Sequence, residues 1–356
     1  MNVRVNLLAI FVLSICSTCA HAQFDTVINL PDNPDSANPS GFSGNSIGSS
    51  SGISSNTQLN VSDNGSIGSF FNAGASDVLN TNIEVNILGG TVGQRFSANS
   101  GSTINISGGT VETDFDANSG STVNISGGSI VSAGFSSSFR ARGGSTVNIT
   151  GGTIAEDFNA LSGSTVNISG GAIDRDFDAL SGSTVNVSGG AISQDFNALS
   201  GSTVNILGGE FLLNGNAISD TTAPFTLGTN DTLTGTLVDG SSFIFSTESR
   251  DSLNGVNLVT ETITAAVNTA PQTINTASTL RSLRAGQTLT VQTGGELVEN
   301  LNAVGATINI EAGSIGDNLR AASSEINVSG GVIGRDFDAL SGSTVNISGG
   351  ANWSII

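Results

Sequence analysis

The sequence predicts an all-β protein, a parallel β-helix that winds right-handed through rungs of about 19 residues. Two observations predict this fold. Gly-Gly pairs recur mostly 19 residues apart, a period too short for paired-helix repeats and suited to one coil of a β-helix. The 47 glycines and the small charged fraction, 11%, favour short strands joined by tight turns over long helices. The second glycines of the pairs are Gly90, Gly109, Gly128, Gly152, Gly171, Gly190, Gly209, Gly331 and Gly350.

The unit 164–182 illustrates the expected rung. Its first strand alternates polar and β-branched residues, so Val166 and Ile168 are expected to point inward. Gly170-Gly171 then permits a corner whose backbone angles other residues resist, and Ile173 begins a second short strand. Because one rung buries too little apolar surface to fold alone, each rung must stack on its neighbours.

A phenylalanine recurs at the third strand of most rungs. Stacked like on like, these rings predict an internal aromatic ladder that holds the rungs in register, with Leu301 and Leu319 replacing the ring in two rungs. The phenylalanines of this column are Phe96, Phe115, Phe139, Phe158, Phe177, Phe196 and Phe337.

The first 22 residues predict a secretory leader. Arg4 precedes an apolar run over residues 7–15, and Ala20-His21-Ala22 matches a cleavage site, so the mature chain is expected to begin at Gln23. No other segment is long and apolar enough to predict a transmembrane helix. The sequence therefore predicts a secreted or cell-surface protein.

Loss of this leader changes the available chemistry, because it removes both cysteines, the single histidine and Arg4. Nine arginines then face 29 acidic residues, a net charge of −20, which disfavours binding to the phosphates of nucleic acids. Thiol catalysis, Ser-His-Asp catalysis and His-ligated metal sites are excluded for the mature chain. We expect a non-enzymatic protein without a cofactor.

The repeat pattern divides the chain into segments. We expect a signal peptide (1–22), a low-complexity linker or cap (23–57), a first solenoid block (58–210), a β-rich insertion (211–285), a second solenoid block (286–350) and an off-pattern tail (351–356). Within the insertion, Asp239-Gly240 predicts a hairpin turn between strands over 232–237 and 242–246. A final rung without a cap would expose a strand edge, so we also expect end-to-end self-association.

One spacing of 24 residues, between Gly128 and Gly152, places a five-residue insertion between Ile130 and Phe139. It is expected to bulge outward as a loop near 131–138. Arg140 and Arg142 follow this loop and are candidate contact residues, since binding residues favour loops that break a regular scaffold. An ion pair between Arg140 and a neighbouring rung is the simpler interpretation, because Asp116 shares its column.

The repeat GSTVNISGG, followed by an Ile position and by Asp-Phe-Asx-Ala-Leu-Ser-Gly, resembles the tandem repeats of large secreted bacterial surface proteins. These include adhesin-like and autotransporter-passenger-like β-helices and repeat proteins of planctomycete type. The resemblance implies an extracellular β-helix with a structural or adhesive role and no catalytic residues. It also implies extracellular glycans, matrix components or cell-surface components as partners.

The alternative function is binding or cleavage of polysaccharides, which some parallel β-helices perform. Cleavage needs two carboxylates that flank one glycosidic bond, and one column offers Asp157, Asp176 and Asp195 together with Asp114. A column repeated in most rungs is typical of a scaffold, whereas an active site interrupts the repeat. The same Asp157, Asp176 and Asp195 are candidate Ca²⁺ ligands, because a cation would relieve repulsion between stacked carboxylates. Alternatively, the adjacent column, which contains Glu156, Arg175 and Gln194, supplies charge compensation without a metal.

Outward polar residues of the first strand form a third candidate surface, which includes Thr165, Asn167, Thr184 and Asn186. A flat lattice of hydroxyl and amide groups is also found on ice-binding solenoids, although those favour Thr-x-Thr over the Thr-x-Asn pattern here. The simpler interpretation is a solvated face whose asparagines hydrogen-bond from rung to rung.

Overall fold

The computed structural model describes residues 24–31, 44–75, 81–131, 138–192 and 195–349. Within these residues the chain forms a parallel β-solenoid of about 15 turns with a spacing of about 19 residues, which confirms the predicted fold class. No helix in the described ranges is long and apolar enough to span a bilayer. The predicted leader, most of the loop near 131–138 and the tail 351–356 lie outside the described residues.

Two stacks of rungs make up the structure, and each rung presents up to three faces. In the first stack the first face consists of Thr26–Leu30, Thr57–Val61, Ile83–Ile87, Ser102–Ile106, Thr122–Val131, Thr146–Ala155, Thr165–Ile173, Thr184–Ile192, Thr203–Leu213 and Asn257–Thr260. The second face has the separate strands Ser46–Ile47, Ser66–Ile67, Thr91–Val92 and Thr110–Glu112. The third face consists of Gly52–Ile53, Asn72–Ala73, Ser97–Ala98, Asp116–Ala117, Ser138–Ala141, Asp157–Ala160, Phe177–Ala179, Phe196–Ala198 and Ser252–Leu253.

The second stack is shorter and has the same three faces. Its first face consists of Gln272–Ile274, Thr288–Val291, Thr307–Ile310, Glu325–Val328 and Thr344–Ile347. The second face consists of Ala277–Ser278, Glu296–Leu297, Ser314–Ile315 and Val332–Ile333. The third face consists of Ser282–Leu283, Asn302–Val304, Arg320–Ala322 and Asp338–Ala339. Between the stacks lie Asn216–Ala217, the hairpin strands Thr232–Leu237 and Ser242–Ser246, and a 3-10 turn over Thr247–Ser249.

The Gly-Gly pair forms the corner between the first two faces. Gly171 has a φ of +77°, and a Cβ there would lie 2.7 Å from the carbonyl oxygen of Gly151 in the rung before. Only glycine fits this backbone angle and this close approach without strain. In the rungs from Thr122 to Leu213 the first strand continues through the pair, where the register shifts as in a β-bulge.

The core follows the period-2 pattern of the first strand and the aromatic column of the third. Val166, Ile168 and Phe177 are at most 1% exposed, as predicted. Phenylalanine rings of successive rungs stack with centroids 5.0 Å apart between Phe158 and Phe177 and 5.3 Å apart between Phe177 and Phe196. Such a ladder fixes the register, because a slipped rung would lose its stacked neighbour.

The ladder is longer than the sequence pattern indicates. Phe71 precedes Phe96 in it, and Phe245 of the hairpin follows Phe196. Phe337 belongs to a separate apolar core, where it packs with Leu301 and Leu319 of the second stack. The predicted column is therefore two columns, one in each stack.

Rungs extend beyond the expected block boundaries. Thr26–Leu30 pairs in parallel with Thr57–Val61, so part of the expected linker over 23–57 belongs to the solenoid. Asn257–Thr260 pairs with Thr203–Leu213, which places a further rung of the first stack inside the expected insertion. The second stack begins at Gln272–Ile274. These rungs lack the Gly-Gly signature, and their strands are recognised from pairing alone.

The predicted hairpin around Asp239-Gly240 is confirmed, and it joins the two stacks. Its strands pair antiparallel, and Thr232–Leu237 also pairs antiparallel with Thr203–Leu213. Phe245 packs in the first core, whereas Ile244 packs against Ala322 and Leu340 of the second stack. A strand buried on both faces carries a continuous apolar run, here Phe243 to Phe245.

Candidate functional site

The outward asparagines of the first face form a continuous hydrogen-bonded ladder. The Asn186 side-chain amide donates to Asn167 at 2.8 Å, and Asn167 donates to Asn148 at the same distance. The ladder runs from Asn29 to Asn257. The candidate contact residues Thr165, Asn167, Thr184 and Asn186 are partly exposed members of this uniform face. The side-chain amides of Asn167 and Asn186 hydrogen-bond to the asparagines of neighbouring rungs, as the simpler interpretation of this face predicts.

The candidate Ca²⁺ ligands Asp157, Asp176 and Asp195 form a partly buried column at the start of the third face. Burial raises the pKa of Asp157 and of Asp195, and the charge of Asp176 raises both further. Arg175 opposes the shift in the pKa of Asp157. In the described parts of the chain, no three His, Cys, Asp or Glu side chains converge on a point where they could hold a metal ion.

The outward side of the third face loses its regularity where the five-residue insertion enters the solenoid. The insertion lies between the second and third faces, because Asp116 pairs with Arg140, 24 residues on, and Arg140 pairs with Asn159, 19 residues on. Asp116 accepts hydrogen bonds from Arg140 at 2.6 Å and from Arg142 at 3.0 Å. The Asp116 carboxylate raises the pKa of Arg140. The predicted inter-rung ion pair is therefore present, and both candidate arginines share it.

A groove of about 550 Å³ opens beside this ion pair. Three of its residues hold the same corner position in successive rungs, one residue before the stacked phenylalanine: Phe70, Arg95 and Asp114, with φ values of 62°, 60° and 64°. This left-handed backbone is uncommon for residues other than glycine. The remaining lining residues project from the third face and are Asn72, Ser97, Asp116 and Arg140.

Phe70 and Arg95 are exposed lining residues of the groove. Phe70 is 48% exposed, unlike the fully buried Phe71 next to it. The Arg95 guanidinium carbon lies 5.2 Å from the centre of this ring, a cation–π contact that orients the side chain. Its only ion pair among the described residues is a long one, 3.7 Å from Asp114, and the Arg95 side chain remains 61% exposed.

Glu156, predicted to compensate charge in the column next to the aspartates, lies buried behind the groove, and Gln194 of the same column lies outside the described residues. The Oε2 of Glu156 accepts a hydrogen bond from the backbone N–H of Asp114 at 3.4 Å, two rungs away. At the same corner, the N–H of Arg95 instead donates to the carbonyl of Thr113 in the next rung. Burial raises the pKa of Glu156 to about 8. Its Oε1 is buried and has no hydrogen-bond partner among the described residues.

The sequence pattern predicts Arg140 and Arg142 as contact residues but not Phe70 or Arg95. The rung that contains Phe70 lacks a Gly-Gly pair, so the 19-residue pattern does not include it. The dipeptide Phe70-Phe71 is a sequence signal for an exposed ring. Successive side chains of an extended segment point to opposite sides, so the core rarely buries both neighbours. Arg95 holds the rung position that Asp114, Asp176 and Asp195 hold in other rungs, directly before the stacked phenylalanine. The change from a negative to a positive side chain breaks the repeat of this column.

No protein-family model matches the chain, and no curated protein matches it in sequence.

Proposed function

We propose that the protein is a secreted, non-catalytic scaffold of adhesion-like type, displayed outside the cell. One observation carries the proposal: the outward asparagines of the first face hydrogen-bond to one another along the first stack, while the groove beside the third face interrupts the repeat with the exposed side chains of Phe70 and Arg95. A repeated face is a property of the scaffold, and contacts with partners favour places where the repeat breaks. The leader predicted over residues 1–22 supports export.

A secretion assay with a glycan and matrix screen tests this function. The exported chain is expected to begin at Gln23, and the purified chain is expected to bind extracellular glycans or matrix components on an array. A chain that stays inside the cell with residues 1–22 attached would contradict the export step. Binding to no extracellular glycan or matrix component would contradict the adhesive role.

Polysaccharide cleavage is the alternative function. Asp114 and Asp116 place two carboxylates in the groove, as a glycosidase would require, although Asp116 already binds two arginines. Glu156, the carboxyl group beside the groove whose pKa burial raises to about 8, could hold a proton as a general acid must, but it is fully buried. We therefore expect no new reducing ends or unsaturated products when the protein is incubated with polysaccharides that it binds. Their appearance would favour the alternative.

A further inference from the structure

The groove concentrates positive charge on an acidic chain. Of the nine arginines that follow the predicted leader, Arg281, Arg284 and Arg320 are largely buried around the junction of the two stacks. Three others, Arg95, Arg140 and Arg142, lie in or beside the groove, where they face Asp114 and Asp116. Because burial holds the pKa of Glu156 at about 8, that carboxyl adds little negative charge at pH 7. The cluster therefore carries about one net positive charge at this pH.

Arg95 provides the guanidinium that is free to bind a ligand. Arg140 and Arg142 both donate to Asp116 within 3.0 Å, so their charge is largely compensated. Arg95 lies 3.7 Å from Asp114, too far for a strong hydrogen bond, and is held against Phe70 instead. A guanidinium held in one orientation favours a planar anion such as a carboxylate.

The groove also contains hydrogen-bond acceptors, so it favours a ligand that donates hydrogen bonds in addition to carrying a negative charge. Asp114 and Asp116 accept only, and Asn72 both accepts and donates. Sugar hydroxyls supply the matching donors. An acidic peptide would instead bring further carboxylates against Asp114 without supplying a row of hydroxyl groups. A volume of about 550 Å³ lies within the range of pockets that hold small ligands.

We propose that the groove between Phe70 and Arg140 binds a carboxylate-bearing sugar unit of an extracellular polysaccharide. Arg95 binds the carboxylate, the exposed part of the Phe70 ring contacts the sugar ring, and Asp116 with Asn72 accepts hydrogen bonds from its hydroxyls. This inference rests on the proposed adhesive function and gives it a ligand class.

Isothermal titration of the purified mature chain with trigalacturonate tests the inference, with neutral maltotriose and the peptide triglutamate as comparison ligands. Trigalacturonate is expected to bind at least about tenfold more tightly than either, because only it offers both hydroxyls and a carboxylate. Arg95→Gln is expected to weaken its binding by about tenfold or more. Arg335→Gln, which removes an exposed arginine from the second stack, is the matched control and is expected to leave the affinity unchanged.

Three results would overturn the inference: no heat of binding with trigalacturonate, equal affinity for maltotriose or triglutamate, or equal effects of Arg95→Gln and Arg335→Gln. Matching melting temperatures of the two variants would show that neither has unfolded. If trigalacturonate fails while the array still detects glycans whose binding survives Arg95→Gln, the groove inference falls and the adhesive function stands. If the array also detects nothing, both fall.

Discussion

Arg320 of the second stack donates to the buried carboxylate of Asp251 at the end of the first stack, with 3.1 Å between Nη1 and Oδ2. The same carboxylate accepts the backbone N–H groups of Phe196 and Ser246, each at 2.8 Å. Burial raises the pKa of Asp251, and the Arg320 guanidinium together with these two N–H groups opposes that shift. One carboxylate thus links a rung, the hairpin and the second stack.

Arg320→Met is expected to destabilise the protein by about 3–5 kcal/mol, because it leaves the Asp251 carboxylate buried without its cation. The midpoint of urea unfolding measures the effect. Arg335→Met removes an exposed arginine of the same stack and serves as the control, with an expected change within about 0.5 kcal/mol. Equal midpoints for the two variants would mean that the buried pair contributes nothing to stability.

Phe177 lies between Phe158 and Phe196 in the aromatic ladder. Phe177→Asp is expected to cost several kcal/mol, because it places a carboxylate in an apolar column. Phe177→Leu is expected to be mild, since leucine holds the matching position at Leu301 and Leu319 in the second stack. Thermal melts compare the variants, and an Asp variant as stable as wild type would contradict the inward placement.

Glu156 makes stability depend on pH. Its pKa is about 8 in the folded chain against an ordinary value of 4.5, so the folded state holds this proton more tightly than the unfolded state does. The resulting stabilisation is fully present below about pH 4.5 and is lost as the pH rises through 8. Glu156→Gln cannot ionise, so it is expected to melt at a higher temperature than wild type at pH 9 and to lose that advantage at pH 5.

Melting curves at several pH values test the Glu156 prediction, with Glu296→Gln, at an exposed carboxyl, as the control. The control variant is expected to follow the wild type at every pH, since other titrating groups contribute equally to both proteins. A difference between Glu156→Gln and wild type that does not change with pH would rule out a proton held by burial.

The column of Asp157, Asp176 and Asp195 gives a prediction about Ca²⁺. If a cation relieves the repulsion in this column, a chelator is expected to lower the melting temperature of the wild type. The double variant Asp157→Asn with Asp176→Asn is expected to melt at the same temperature with or without chelator. A wild-type melt that the chelator leaves unchanged would remove calcium from this column.

The repeat allowed the inside of each rung to be predicted from sequence. Val166, Ile168 and Phe177 are buried because strand alternation and the 19-residue period are local properties that a single chain displays. The repeat does not predict Phe71 or Phe245 as members of the aromatic ladder, because the rung of Phe71 lacks the Gly-Gly pair and Phe245 belongs to the hairpin.

The contacts between the two stacks could not be predicted from the repeat. Asp174 accepts from Arg281 at 2.7 Å and from Asn300 at 3.1 Å, more than 100 residues away in sequence. Asp174 follows the second-face strand of an ordinary repeat, and nothing in the repeat distinguishes its environment from that of Glu112 or Ala155. Its burial depends on how the chain after Thr260 returns alongside the first stack, which strand periodicity does not encode.

The same contacts make the first stack unequal along its length under mechanical load. Backbone hydrogen bonds between rungs run along the stack axis, so tension on the two ends would peel rungs apart one at a time. From Asp174 onward the second stack is bound to the first and to the hairpin. Arg281 pairs with Asp174, Arg320 pairs with Asp251, and the Ser242 hydroxyl donates to the carbonyl of Leu283. Unfolding under tension would therefore start among the rungs before Asp174, where the groove lies. A ligand that contacts several of those rungs would hold them together and stabilise the part of the molecule that unfolds first.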